Sequence, residues 1–451
     1  MGLTASLAKF LHGLNEANIP PEVMAKAWAC LLNGYGIALG CHNTPYAPVA
    51  RAAAVAMDGL KSEGATMLGD GRKVAVPGAL LANAALFHGR AQEDSLGAAH
   101  LGPIVIPLLT ALVETERYPI ERLLPSLVAG YEAGGLLEKA YNPKTAPVGL
   151  RSTPLYGTMA AAAAAAKLMA LDVERTEAAL ANALSFAGGI LQSFAEGTDE
   201  WRYQVGVAAR NGLAAAMLAR AGSVGAKQAI EGRAGFVRAY VRETCDVAAF
   251  QERLGRDWET LRVAFKPFPV CAYNQTLVGA ALALKERIGS ARIKGVTVRM
   301  NPFETGYAGM DSKGPFDSIT GTLMSIPFCA AAPLLHGSPT IGMMTTYDDR
   351  AVNDLVTRVG LVSDPEVPTL SCRLGVELED GRTIEEHAKK TARDYSYSVN
   401  DVSALIRRIG REEGVVPEAY DRLEAFVDGL PRGSISSVID IFSLIGRRAA
   451  A

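Results

Sequence analysis

From residue 3 to about 262, apolar side chains recur at spacings of three and four, broken only by short Gly or Pro segments. That is the periodicity of one amphipathic helix after another. Pro20-Pro21 opens one of them, and its Val23, Ala27, Cys30, Leu31 and Tyr35 fall on a single face. The same spacing predicts helices over 78–88, 103–114 and 120–141, with Pro119 and Pro125 marking breaks, and then over 173–192, 205–221 and 226–231. The run of seven alanines at 160–166, flanked by Tyr156, Met159, Leu168 and Met169, predicts a helix whose small side chains let its neighbours come close. Lys167 cuts this apolar stretch short of the roughly 18 residues that a membrane span needs, so it reads as the central helix of a soluble bundle.

The pattern changes at Lys266-Pro267-Phe268-Pro269. Neither proline fits a helix interior, so the helical run must stop there and the chain must turn. A helix over 276–288 leads into an alternating stretch at 293–300, the mark of a half-buried strand. A second alternating stretch at 374–378 passes through Asp380-Gly381, a hairpin turn, into 382–385. Helical patterns lie between them at 317–335 and 351–359, and helices return at 402–413, 417–427 and 434–447. These last helices are short and apolar enough to dock on the first bundle. The expected fold class is therefore mainly α: a large all-helical bundle domain built from both chain ends, 1–265 and 400–451, with a smaller α+β domain inserted at 266–399.

Composition narrows the class. With 451 residues, 49% hydrophobic and 20% charged, the chain has material for a substantial core in two domains and little for long disorder. A formal net charge of −2 gives no global attraction to nucleic acid or to a membrane, so an anionic ligand must meet a local cluster of cations. The cysteines Cys30, Cys41, Cys245, Cys271, Cys329 and Cys372 form no CxxC pair and no zinc-like spacing with histidine, as expected of reduced thiols in a cytoplasmic protein that holds no metal. The first residues lack a charged segment followed by a long apolar run, so they do not read as a signal peptide, and the Met1-Gly2 with Ser6 match to a myristoylation pattern has no polybasic support. There is no GxSxG elbow, Walker loop, HExxH or GxGxxG after a strand, which disfavours nucleotide, serine-hydrolase and metal-hydrolase chemistry.

The turn at Lys266 places a cation next to Cys271, Tyr273, Asn274 and Gln275 at an expected domain boundary, a preferred setting for small-molecule sites. Several further segments then occur in a telling order. They are Val76-Pro77-Gly78-Ala79-Leu80-Leu81-Ala82-Asn83 with His88-Gly89, Glu93-Asp94-Ser95, and His100-Leu101-Gly102-Pro103. Gly157-Thr158 with the alanine run, Lys266-Pro267-Phe268-Pro269, and Ser325-Ile326-Pro327-Phe328-Cys329 follow. Taken together they make nearly the whole chain resemble the MmgE/PrpD family, which includes 2-methylcitrate dehydratase, cis-aconitate decarboxylase and iminodisuccinate epimerase. The resemblance implies the same discontinuous helical domain with an α+β insertion, a homodimer, and an active site between the domains that needs no cofactor. It puts catalytic or substrate-binding groups at Asp94, Ser95, His100 and Lys266. The chain departs from the pattern at Arg151, where the decarboxylases carry histidine, at Phe328, where they carry tyrosine, and at Trp201-Arg202, where some relatives carry lysine. The loop between His88 and His100 is also shorter than usual.

On these residues the expected chemistry is removal of a proton next to a carboxylate. Arg151, Arg202 and Lys266 would form the cationic pocket that a di- or tricarboxylate requires, with Ser95, Tyr273 and Cys271 as further substrate contacts. Fixed cations there would stabilise charge as it builds on the carboxylate. Burial and neighbouring cations would lower the pKa of Lys266 and free its amine as base, while Asp94 and His100 serve as acid and base. Each residue has a plainer rival: His100 as a cap on the helix at Pro103, Asp94 as a loop hydrogen-bonder, Lys266, Arg151 and Arg202 as solvated charges, Cys271 as buried filler. The leading expectation is a dehydratase-like lyase of a small polycarboxylate. The alternatives are an epimerase of such a substrate and a non-catalytic polycarboxylate-binding protein on the same fold.

Overall fold

The computed structural model describes residues 1–445, and these form two compact units. The first comprises Met1–Gly189, Arg202–Phe265 and the chain from Ser396 onward; the second comprises Ile190–Trp201 and Lys266–Tyr395. The fold is mainly α, with helices making up the first unit except for one short antiparallel ribbon, β1 (Ala65–Thr66) with β2 (Lys73–Val74).

In the helical unit the helix Pro21–Leu39 buries all five residues that define its apolar face. Helices Val76–Phe87 and Gly102–Glu116 follow, each with proline in its first turn, where a missing N–H costs no intrahelical bond. Pro125 is not a break: it too lies in the first turn of a helix, Leu123–Thr145. The alanine run lies in Ser152–Leu168, and all seven alanines are fully buried. A Cβ on Gly212 would come within 2.3 Å of Ala161 Cβ and 2.7 Å of Thr158 O, so the helix Trp201–Arg220 touches the alanine helix almost backbone to backbone. The aromatic centre of the unit is Tyr35, edge-on to Phe87 and Phe442, with its hydroxyl 2.6 Å from Thr110 Oγ1.

Two expected helices differ. The one expected over 173–192 ends at Phe186, because Gly188-Gly189 follow and Gly189 takes a φ of +138° while passing close to Pro154. The stretch 226–231, bounded by Gly225 and Gly232, forms turns in place of a helix. After Ser396 the helices Val399–Glu413, Pro417–Asp428 and Ile435–Ser443 complete the unit. The first is entered through a capping box of Ser398 and Asp401. The end of the helix expected over 434–447 lies outside the described residues.

The second unit is built on a four-stranded sheet: β3 (Ile293–Met300), β4 (Val359–Ser363), β5 (Cys372–Leu378) and β6 (Thr383–Ala388), in the order β4-β3-β5-β6. Strand β4 runs parallel to β3, and the other neighbours are antiparallel. On one face Val296, Val298, Met300, Leu374, Val376 and Leu378 are buried. Residues 359–363 are a strand, although Val359 was expected to end a helix and 360–363 were assigned no element. The helix Arg350–Thr357 stops just before, and the run Val359-Gly360-Leu361-Val362 is too short to show a period. The helical stretch 317–335 is two helices, Ile319–Met324 and Ile326–His336, divided at Ser325, whose hydroxyl caps the second at Phe328 N, 3.0 Å away.

Candidate functional site

Between residues 88 and 94 a mostly apolar chain carries His88, Arg90, Gln92, Glu93 and Asp94, and all five are buried. Burying so many ionisable groups is costly unless each is matched, and here they are matched to one another and to groups distant in sequence. His88 ends the helix Val76–Phe87. Its Nε2 lies 2.9 Å from Arg151 Nη2, and its Nδ1 lies 3.2 Å from Glu93 Oε1. A guanidinium only donates, so Nε2 is the acceptor and the proton sits on Nδ1, toward the Glu93 carboxylate. Burial drives the His88 pKa down to about 4, with Arg151 and Arg202 pushing the same way and Glu93 opposing them in part. The imidazole is therefore neutral near pH 7.

Glu93 Oε1 also stands 3.4 Å from His100 Nδ1, so one carboxylate oxygen faces both imidazoles, whose ring centres are 5.7 Å apart. His100 Nδ1 donates to the backbone carbonyl of Asp94 at 2.8 Å, which leaves the lone pair of the neutral ring on Nε2. Unlike the buried residues of the 88–94 segment, the His100 side chain keeps some solvent exposure, 15%. Asp94 is held from both sides: Oδ1 accepts from Gly102 N at 3.2 Å, and Oδ2 accepts a short hydrogen bond from the Tyr131 hydroxyl. The first turn of the helix at Gly102 is thus bonded by Asp94, not by His100. Burial and the Asp94 charge raise the Tyr131 pKa well above its ordinary value, so its hydroxyl remains a donor. Ser95 is buried and bridges Ala264 through paired backbone bonds of 2.8 Å, Ser95 N to Ala264 O and Ala264 N to Ser95 O.

Neither Arg151 nor Arg202 is a solvated surface charge. Arg151, 2% exposed, begins the helix Ser152–Leu168 and donates to Gln204 Oε1 at 3.0 Å as well as to His88. Arg202, fully buried, donates to the carbonyls of His88 and Gly89 at 2.8 and 2.7 Å, and its guanidinium carbon lies 3.8 Å from the centre of the Tyr46 ring. The structure therefore gathers Asp94, His100, Arg151 and Arg202 around His88 and Glu93. The last two, with Gln204 and Tyr131, are members that spacing alone does not single out. The signal for His88 and Glu93 was the density of ionisable residues in an apolar stretch; Gln204 and Tyr131 had none.

The remaining candidates belong to the second unit. Lys266 is 3% exposed and opens a turn that Gln275 clamps. Gln275 Oε1 accepts from Phe268 N at 3.0 Å, and its Nε2 donates to the carbonyls of Phe268 and Val270 at 3.0 and 2.9 Å. One amide side chain thereby supplies partners for the backbone that two prolines leave irregular. Cys271 donates its N–H to Leu323 O at 3.1 Å. Burial pushes its thiol up to about 11 despite the opposing charge of Lys266, so it is a neutral thiol and a poor nucleophile. Tyr273 packs edge-on against Phe303 and Tyr307. Phe328 is 1% exposed and packs edge-on to Phe316. Among the described residues no group of three or more His, Cys, Asp or Glu is placed to hold a metal ion, and no helix is long and apolar enough to cross a membrane.

Comparison with known proteins agrees with this architecture. Residues 5–246 match the MmgE/PrpD N-terminal domain, and residues 268–395 match the MmgE/PrpD C-terminal domain. The chain is 27% identical over 414 residues to "Cis-aconitate decarboxylase-like protein oryM" of Aspergillus oryzae, covering 85% of each sequence. It is 25% identical over 421 residues to cis-aconitate decarboxylase of Aspergillus terreus, covering 86% of this chain and 85% of that one. To cis-aconitate decarboxylase of Mus musculus it is 26% identical over 415 residues, covering 86% and 82%. With both domains matched in order over most of its length, this chain belongs to the MmgE/PrpD family.

Proposed function

We propose that the protein is a lyase that moves a proton at the carbon next to a carboxylate of a small di- or tricarboxylate. The observation that carries this reading is the pair of buried arginines converging on His88, beside an imidazole whose tautomer is set by its Nδ1 bond. That arrangement suits an anion whose carbon changes protonation. Arg151 binds a substrate carboxylate, helped by Arg202, Ser95, Tyr273 and Cys271. Lys266 is the base, His100 the partner that delivers or accepts the second proton through Nε2, and Asp94 the carboxylate that holds the loop of His100 in register. If water is lost, a base removes the α-proton and an acid protonates the departing hydroxyl. If CO2 is lost, the carbon–carbon bond breaks and the carbanion takes a proton from the acid. Both outcomes use the same groups, and the similarity to cis-aconitate decarboxylases favours the second. The protein acts as a cytoplasmic homodimer.

The test is turnover on a panel of di- and tricarboxylates that includes cis-aconitate, followed by CO2 release, by alkene absorbance, and by deuterium uptake from solvent. Lys266→Ala and His100→Asn should each lower kcat/KM by about 10²–10⁴-fold, with the folded state intact by circular dichroism. Unchanged turnover in both variants sinks the assignment of these residues. Deuterium uptake with neither CO2 nor alkene formed would make the enzyme an epimerase, and binding without turnover would make it a carrier or sensor of polycarboxylates.

A further inference from the structure

The four-stranded sheet has one buried face and one open face. On the open face the register sets Thr297 of β3 between Gly360 of β4 and Gly375 of β5, so the middle of the sheet has almost no side chain. The result is a trough of about 610 Å³. Two residues farther along β3, Arg299 is the direct cross-strand partner of Arg373 on β5, and Arg373 is in turn opposite His387 on β6. Like charges directly opposite one another on neighbouring strands destabilise a sheet. Among the described residues neither Arg299 nor Arg373 makes an ion pair or a side-chain hydrogen bond that would compensate this pair.

The other charges around the trough are matched among themselves. Glu377 pairs with Lys294 at 2.6 Å, and Glu385 lies 3.4 Å from His387 Nε2. Arg358 is turned onto Asp354 at 2.8 Å and onto the carbonyls of Ile293 and Lys294. What is left over is two guanidinium forks, side by side at the edge of a glycine-floored trough, each able to grip an oxyanion with two parallel N–H bonds.

We propose that this face is a binding site for a small polyanion carrying two neighbouring oxyanion groups, phosphoryl or carboxylate, held by Arg299 and Arg373. The glycines let the anion approach the strand backbone, and its charge removes the repulsion that the arginine pair otherwise imposes. This site uses none of the residues assigned to the reaction, so it stands or falls independently of the proposed chemistry.

The experiment is titration calorimetry on the full chain at low salt, with pyrophosphate as the phosphoryl probe and propane-1,2,3-tricarboxylate as the carboxylate probe. At least one should bind saturably with a single site on this face. Arg299→Gln and Arg373→Gln should each weaken it about tenfold or more, Lys266→Ala should leave it unchanged, and acetate should not compete. Both glutamine variants should also melt slightly higher than the parent at low salt without ligand, because the repulsion is gone. The proposal is overturned if neither probe binds, if pyrophosphate binding survives both substitutions, or if tricarboxylate binding measured in the Arg151→Met background survives both. It is equally overturned if sedimentation shows that, without any anion, the parent self-associates and either variant does not, since the face would then belong to a second copy of the chain.

Discussion

His88 shows how a single residue is set by what surrounds it. An ordinary histidine takes a proton near pH 6.5, whereas His88 in the folded protein waits until about pH 4, because burial and two arginines oppose a further positive charge. Between those values the unfolded chain holds more protons than the folded one, so stability falls as pH is lowered from about 6.5 to 4. The full span amounts to roughly 3 kcal/mol at most. His88→Gln should flatten this acid limb in urea denaturation measured at several pH values; an acid limb as steep as the parent's would mean that His88 is not held neutral. Glu304 has the opposite sign. Its Oε1 accepts from Leu370 N at 2.7 Å, its Oε2 is buried with no hydrogen-bond partner among the described residues, and burial lifts its pKa to about 7. The folded protein keeps that proton where the unfolded chain has lost it, so this group makes stability fall as pH rises from about 4.5 to 7, and the penalty is complete above 7. Glu304→Gln should remove the slope and stabilise the protein most at pH 8, read from the same denaturation series.

Helices and turns depend on contacts that a pattern of apolar residues implies only in outline. The alanine run does predict close neighbours, but only the fold shows which helix comes nearest and that Gly212 makes the approach. A methyl group there would meet backbone atoms of the alanine helix, which cannot step aside. Gly212→Ala should therefore cost about 1–3 kcal/mol despite its better helix propensity, measured by chemical denaturation; a gain in stability would show that the helices slide apart freely. The Lys266 turn gives a second case. Two prolines make a turn necessary, yet it is Gln275, seven residues after Phe268, that satisfies both the N–H and the carbonyl of that residue. Gln275→Ala should destabilise by about 2–4 kcal/mol in chemical denaturation, from the loss of three hydrogen bonds that leaves the Phe268 groups half-buried and the Val270 carbonyl buried without this partner.

For the molecule as a whole, the nearly neutral charge balance means that affinity for an anion has to be local. A polycarboxylate that binds only the native protein should raise the melting temperature in proportion to the logarithm of its concentration once above Kd. Arg151→Met should abolish that shift for the substrate while leaving pyrophosphate binding on the sheet intact, because the two arginine sets lie in different units of the chain. A melting temperature that still rises with polycarboxylate in Arg151→Met would remove Arg151 from the substrate's contacts.

Much of this was legible before the fold was known. Periodicity determines which faces must be buried, so the helix Pro21–Leu39 and strand β3 follow from the order of apolar residues, and the switch at Lys266 follows from proline chemistry. The ordered family segments marked Asp94 and His100. Other features had no local sign. Strand β4 was hidden because five residues carry too little pattern, and the bond from Arg151 to His88 joins positions 63 apart. Helices and strands are dictated by neighbours along the chain, a few residues at a time. The partner of a buried charge is dictated by whichever distant group packing brings within about 3 Å, and only the tertiary structure decides that.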